Sequence, residues 1–451
     1  MLKAGFARVN VTPMREIPLS GYFHERLTEG VLDELEINAL ALECNGKRAV
    51  LLVMDTESIS TPVEKEIREN INKVTGLDLD AIYVSTTHTH TGPFVDPDLV
   101  ENKKELVAEY KSFVIKRMVD ATLTALEDLS EAEMGHAVGH SPKVAFVRRY
   151  RMKDGSIKTN PGVHNPDIVE PVGEVDERVN VLRFKREGKD DIALINVGNH
   201  PDVVGGNKVS ADWPGFTRRF FEKAVDGTKA IFFNGAQGDL NHVNVFPTKG
   251  DFNDMFVDFD DVARGYGHAR HMGRVVAAAA MQVWDKVNYT EVDDLKFMKR
   301  TVNVPSNMPT PEQLPLAHKY NDLHLAGRDD EIPYTAMMLT TVVAEAGRMV
   351  RLEHGPEFFP MTFSAIKIGN VAFFGIPGEP FNEIGRALKE AEGWDMVLPT
   401  CLTGGSEGYF PVKNAYDEGG YEARSSNFKA GVAELIIEEG LKMLNDIKKE
   451  A

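Results

Sequence analysis

The sequence predicts an α/β fold: a central mixed β-sheet with flanking helices and polar groups gathered at the C-terminal ends of the strands. Two observations carry this prediction. Short apolar runs each stop at a polar or glycine-rich turn, and long amphipathic stretches alternate with them. In chain order the strand-like runs are AVLLVMDT at 49–56, AIYVSTTHTH at 81–90, IALINVGNHP at 192–201, AIFFNGAQGD at 230–239 and VAFFGIPGEP at 371–380. Each has the length of a buried strand, and each delivers its polar residues where open α/β sheets place their ligands. Helical periodicity, with apolar residues three and four apart, marks Glu105 to Leu129, Gly265 to Val287 and Lys429 to Leu444.

Of the 451 residues, 42% are hydrophobic and 27% charged, the balance of a globular chain with ample material for a core. Acidic residues outnumber basic ones by 69 to 51, and a net charge of -18 repels phosphate backbones, so nucleic acid is not expected as a partner. The two cysteines, Cys44 and Cys401, have no paired spacing, which excludes a disulfide framework and a thiolate metal site and suits a reducing compartment. The N-terminus MLKAGFARVNVTP lacks the apolar run of a signal peptide, and no window reaches the length of a membrane span. A cytoplasmic protein without membrane insertion is therefore expected, with its oligomeric state left open. No internal repeat or linker divides the chain. Residues 303–335 read as a polar, proline-containing insertion, a lid or an edge, and the strands that carry chemistry flank it on both sides. One catalytic unit spanning 1–451 is the expected organisation.

The strongest chemical signal is Ser85-Thr-Thr-His88-Thr-His90-Thr-Gly92-Pro93. Side chains two apart on an extended segment share a side, so His88 and His90 are expected to face one target, and imidazole is a common zinc ligand. His200 in NVGNHP ends another apolar strand before a proline; it either joins the same site or bonds a backbone carbonyl in a buried turn. Glu379, after FFGIPG, brings a carboxylate to a strand too apolar to be solvated. It needs either a cation or the N-terminus of the helix that follows. Tyr409 sits in the glycine-rich segment GGSEGYFP, which suits close backbone approach; composition alone reads it as a packed aromatic with its hydroxyl bonded.

Taken in order, NVTP and GY near the start, THTHTGP, NHP followed by SADWPG, NGAQGD, IPGE, and GYFP with a later Tyr-Glu resemble the neutral ceramidase family from Gly5 to Glu422. The resemblance implies one zinc ion per chain, held by His88, His200, Glu379 and Tyr409. It implies that His90 and an arginine, Arg148 or its neighbour Arg149, stabilise the reacting carbonyl and its tetrahedral intermediate. Amide hydrolysis by metal-activated water is the implied reaction. Asp212 in SADWPG and Asp239 in QGDLN are candidates for orienting the ligands, although an aspartate in a turn more often bonds its own backbone.

The chain departs from the family where ceramidases carry a serine after the Gly-Asp turn. Here the stretch reads Gly238-Asp-Leu-Asn241-His242-Val-Asn244, with Asn241 at the serine position and His242 as a new acid or base. An amide cannot act as a nucleophile, so any step needing the serine is lost. Neither a signal sequence nor the family's C-terminal β-domain is read in the chain. A small, polar amide, ester or lactone is therefore expected as substrate rather than membrane ceramide. The altered turn also leaves open a metal-dependent lyase, isomerase or carbohydrate-directed enzyme, or a non-catalytic binding protein, on the same scaffold.

Overall fold

The protein is described from a computed structural model that covers residues 1–248 and 265–449. Among the described residues the largest sheet has nine strands. Eight form a continuous path from β1 (Leu2–Asn10), β2 (Glu36–Cys44), β3 (Lys47–Met54), β4 (Ile82–Thr86), β5 (Ser130–His140), β6 (Arg178–Arg186), β7 (Asp191–Val197) and β8 (Thr228–Asn234), in the spatial order β8-β7-β6-β5-β1-β2-β3-β4. A short ninth strand, Asn288–Thr290, pairs with β5. The sheet is mixed: β3 with β4 and β7 with β8 are parallel, and the remaining pairs are antiparallel. A second sheet of four strands contains β9 (Leu295–Pro305), β10 (Phe358–Ile368), β11 (Val371–Gly375) and β12 (Met396–Thr400), the last pair parallel.

The two sheets lie face to face, a feature that the strand patterns do not announce. The period of two explains how they join. Leu40, Leu42, Leu51 and Val53 of the large sheet, with Leu194 and Phe233, pack in one core with Ile366, Phe373 and Leu398 of the small sheet. Their alternate neighbours Ala39, Ala41, Val50 and Leu52 face outward into a second core under α1 (Thr61–Thr75) and α2 (Lys104–Glu127). Further along the same face, α3 (Asp212–Ala224) and α4 (Tyr266–Trp284) cover β6 to β8. The central strands thus read as continuous apolar runs because both of their faces are buried. Each fully buried Leu, Ile or Phe contributes about 1.5–3 kcal/mol, so these interfaces supply the main driving force for the layers.

Among the described residues, helices therefore flank the large sheet on one face, and the small sheet covers the other. The small sheet's own outer face is closed by α7 (Asn382–Lys389) and α8 (Val432–Lys449), with α5 (Leu314–Leu325) and α6 (Ala336–Arg351) preceding both in sequence. The helices expected from periodicity near 105, 265 and 429, and the one expected after Glu379, all form, within a few residues of the expected limits. Of the stretch 303–335, the first residues belong to β9, and the rest contains α5 and leads into α6; the α5–α6 hairpin has a small core of its own around Tyr320, Ile332, Val342 and Met349. Among the described residues no helix is long and apolar enough to cross a membrane.

The two sheets meet at one end, and this meeting creates the site. Just past β12, Cys401 N donates to Asn234 O at the end of β8 (3.0 Å), and Gly404 N donates to Val84 O within β4 (3.0 Å). Asn196 Nδ2 donates to both Phe233 O (3.1 Å) and Pro399 O (3.0 Å), tying β7, β8 and β12 together. The C-terminal ends of the parallel strands of both sheets are thus drawn to one place.

Candidate metal centre

His88 follows β4 by two residues, but not in the extended arrangement that the sequence suggests. The strand stops at Thr86, and His88 takes a left-handed φ of 72°. A non-glycine residue in that region costs on the order of 1–3 kcal/mol and persists where the surroundings fix it. Here they do: Thr87 N and His88 N donate to Met54 O and Thr56 O at 2.9 Å each, and His90 N donates to Pro201 O at 3.1 Å. The turned backbone still sorts the THTHT side chains into two sets. Thr89 and Thr91 donate their hydroxyls to Ser210 O (2.7 and 3.1 Å), and the rings of His88 and His90 meet with their Nε2 atoms 3.2 Å apart.

His200 comes from the turn after β7 and Glu379 from the turn after β11. Glu379 and Tyr409 are direct neighbours, because the two-residue strands Glu379–Pro380 and Tyr409–Phe410 pair in parallel with Glu379 opposite Tyr409. Glycines permit this packing. A Cβ at Gly238 would lie 2.5 Å from Glu379 O, and one at Gly198 would lie 2.2 Å from Ala236 O.

The donor atoms converge. Glu379 Oε2 is 3.2 Å from His88 Nε2 and 3.1 Å from His200 Nε2, and Tyr409 Oη is 3.5 Å from His200 Nε2. The imidazole tautomers follow from their other nitrogens. His88 Nδ1 donates to Glu57 O (2.9 Å), and His200 Nδ1 to Gln237 O and Leu240 O (2.9 Å each); a carbonyl can only accept, so both Nδ1 atoms carry hydrogen. In neutral rings the Nε2 atoms are then bare lone pairs facing a carboxylate, an arrangement that a cation stabilises. The spacing agrees: a tetrahedral ion with ligands about 2.0–2.1 Å away sets neighbouring donors about 3.3–3.4 Å apart. The donor set therefore fits a metal ion. His88, His90 and His200 also place their ligand atoms within 4.8 Å of one another, so these three histidines could hold a metal.

Electrostatics show that Glu379 demands a positive partner, either a proton on His88 or a cation in its place. Burial alone would protonate Glu379, yet His88 and His200 hold its carboxyl well below the usual range, so it is ionised. Burial lowers His200 to about 4, with the Arg148 charge adding to the effect. Burial opposes protonation of His88 as well, but the Glu379 charge and hydrogen bond overcome it and raise the ring to about 9. Burial and the Glu379 charge push the Tyr409 phenol well above its ordinary range, opposed by Arg148.

Arg148, not Arg149, faces this cluster. Its guanidinium lies 5.3 Å from the Tyr409 ring centroid, donates to Glu422 Oε1 (2.6 Å) and Gly238 O (2.7 Å), and stays charged despite burial because Tyr409 and Glu422 surround it. Arg149 turns instead to Glu418 (3.0 Å) and the Phe381 ring. Asn241 is buried one layer back, donating to Asn160 Oδ1 at 2.8 Å. His242 does not join the donor atoms: it is buried against the His268 ring, with centroids 5.2 Å apart.

The two aspartates hold backbone rather than the imidazoles. Asp212 accepts from Val203 N and Val204 N (2.9 Å each), which fixes the loop after His200, and burial raises its carboxyl to about 7. Asp239 accepts from Asn382 N (2.7 Å) at the start of α7, which fixes the segment after Glu379; burial raises it to about 6. The imidazoles are oriented by main-chain carbonyls because those are the polar groups that strand-end turns place within reach.

A cavity of about 410 Å³ opens over the cluster, with His90, His200, Arg148 and Tyr409 in its wall. Sequence reasoning missed the other residues of that wall, among them Tyr22, Asn160, Asp202, Tyr421 and the hairpin residues His324 and Asp329. Only GY and the late Tyr-Glu gave a local signal for any of them.

No protein-family model matches the chain, and no curated protein matches it. Among solved structures it is similar to a ceramidase complexed with C2, at 17% identity and a TM-score of 0.73 over 99% of this chain and 75% of that one. It is also similar to the neutral ceramidase from Pseudomonas aeruginosa, at 18% identity and a TM-score of 0.72 over 100% and 75% of the two chains. The molecule thus falls in the class of ceramidase-like α/β folds, with a buried histidine group able to hold a metal. Within that class it shares the neutral-ceramidase fold over its whole length.

Proposed function

We propose that the chain is a divergent member of the neutral ceramidase family and a zinc-dependent hydrolase of an amide or related acyl bond. One zinc is assigned per chain, to His88, His200, Glu379 and Tyr409. The observation that carries this reading is the set of 3.1–3.2 Å separations joining Glu379 Oε2 to the Nε2 atoms of His88 and His200, whose opposite Nδ1 atoms are held by backbone carbonyls. Zinc, when bound, supplies a Lewis acid and brings the pKa of coordinated water toward neutrality.

The chain's own residues then have distinct tasks. Glu379, kept ionised, supplies the counter-charge. His90 borders the cavity beside His88, and burial with the neighbouring His88 and His200 pushes its pKa well below the ordinary value. Its neutral ring suits a hydrogen bond to a carbonyl oxygen. Arg148, fixed by Glu422, meets negative charge as it develops on that oxygen. Asn241 bonds Asn160 and Val243 N and takes no covalent part. The size of the cavity and its histidine, asparagine and aspartate groups favour a small polar substrate over membrane ceramide. The separate, buried Cys44 and Cys401 favour an intracellular setting.

The test combines elemental analysis with turnover in ¹⁸O-water. About one zinc per chain, lost in His88→Ala and Glu379→Ala, and one ¹⁸O atom in the released acid are expected. Product without ¹⁸O assigns a lyase or isomerase instead, and a wild type without metal removes the reading altogether.

A further inference from the structure

The α5–α6 hairpin adds chemistry to the cavity that neither the proposed metal ligands nor Arg148 require. His324, in the last turn of α5, has its Nδ1 2.9 Å from Asp329 Oδ1, and both residues line the cavity that holds His90 and His200. A carboxylate only accepts, so His324 Nδ1 carries the hydrogen, and in the neutral ring Nε2 is the acceptor. An imidazole near a helix C-terminus with an aspartate beside it also closes the turn between the helices. Closing that turn does not require both residues to border the cavity, and here both do.

A second polar group is fixed by an independent chain of bonds. Val243 N donates to Asn241 Oδ1 (3.0 Å), so the Asn241 atom that faces Asn160 is Nδ2, which donates to Asn160 Oδ1 at 2.8 Å. This leaves the Asn160 NH2 group as a donor for the cavity that Asn160 lines. The side chain at the family's serine position therefore sets the polarity of its neighbour. Tyr22 and Tyr421 add flat aromatic surfaces to the same wall, and Tyr22 Oη donates to Asp202 Oδ1 at 2.6 Å. A fixed donor, the His324 acceptor and the aromatic faces around about 410 Å³ match a compact ring bearing several hydroxyls, while Phe23, Met337, Leu339 and Val343 in the same wall offer apolar surface to the acyl group.

We infer that His324, held by Asp329, and Asn160, held by Asn241, are specificity residues for a small polyhydroxylated N-acyl amine of amino-sugar type. The inference rests on the hydrolase reading, so the experiment separates the two. Acetate release is measured for N-acetylglucosamine and for N-cyclohexylacetamide, which carries the same amide on a ring without hydroxyls, with p-nitroacetanilide as a plain amide. The wild type is expected to favour the sugar over the bare ring in kcat/KM by tenfold or more. His324→Leu and Asn160→Leu, checked for wild-type metal content, should each cut that preference about three- to tenfold, the worth of one hydrogen bond. His324→Gln, which keeps an acceptor, should retain most of it, and Asp329→Asn should fall between. Turnover of p-nitroacetanilide without a preference for the sugar, or a preference unmoved in both leucine variants, overturns this inference alone. No turnover of any of the three by metal-loaded protein overturns this inference, while the hydrolase reading stands or falls on metal content and ¹⁸O incorporation.

Discussion

Replacing Glu379 by Gln preserves the shape of the side chain and removes its charge from a point 3.2 Å from His88 Nε2 and 3.1 Å from His200 Nε2. Structural zinc sites with four ligands bind with an apparent free energy of roughly 10–16 kcal/mol near neutral pH. One ligand of four then carries about 3 kcal/mol, and its loss weakens binding on the order of 100-fold. The amide oxygen can still offer a lone pair, so a residual affinity is expected rather than none. The assay is equilibrium competition against a chromogenic chelator, with elemental analysis of the dialysed protein. His90→Gln is the matched control, because the histidines also form a three-nitrogen group that excludes the carboxylate. The proposed ligand set predicts a large loss in Glu379→Gln, while His90→Gln keeps its metal and loses turnover. The opposite pattern, with His90→Gln metal-poor and Glu379→Gln binding at full strength, refutes the carboxylate-centred argument and moves the ion among the three histidines.

Other perturbations follow from the same contacts. Glu422→Gln leaves the buried Arg148 without its counter-charge; a cost on the order of 3 kcal/mol is expected in chemical denaturation, with kcat reduced and metal content kept. Gly238→Ala drives a Cβ into the carbonyl of Glu379; an overpacking cost of about 1–3 kcal/mol and reduced metal occupancy are expected, measured by denaturation midpoint and elemental analysis. Asp176, bonded to Arg178 and Lys389, has its pKa lowered to about 2, with burial opposing the shift and these partners producing it. Its folded pKa lies below the unfolded one, so its contribution, about 1 kcal/mol after allowing for solvent screening, is present above about pH 4 and lost as the pH falls toward 2. The stability gap between wild type and Asp176→Asn in denaturant titrations should narrow over that window and stay constant above it.

The elements that the sequence determines by itself are those set by local periodicity. The apolar runs ending at Thr56, His90, Pro201, Asp239 and Pro380 are legible as strands because a doubly buried strand must be apolar along its length. Their polar ends are legible because a strand end is where the chain leaves the core. For the same reason His88, His200 and Glu379 stand out, each being a polar residue placed by an apolar strand at the edge of the core.

What only the tertiary structure decided depends on contacts between distant segments. Stacking of the small sheet on the large one brings the ends of β4, β7 and β11 together, and no local pattern encodes which strand ends will meet. Register sets Tyr409 opposite Glu379, turning a residue that composition reads as a packed aromatic into a neighbour of Glu379 and His200. That Arg148 rather than Arg149 lies beside Tyr409 turns on which side chain reaches Glu422, far away in sequence. The imidazoles are aimed by the carbonyls of Glu57, Gln237 and Leu240, and a main-chain carbonyl leaves no mark on residue identity. His324 and Asp329 lay unnoticed in a polar stretch for the same physical reason: a side chain acquires its chemistry from what folding sets against it.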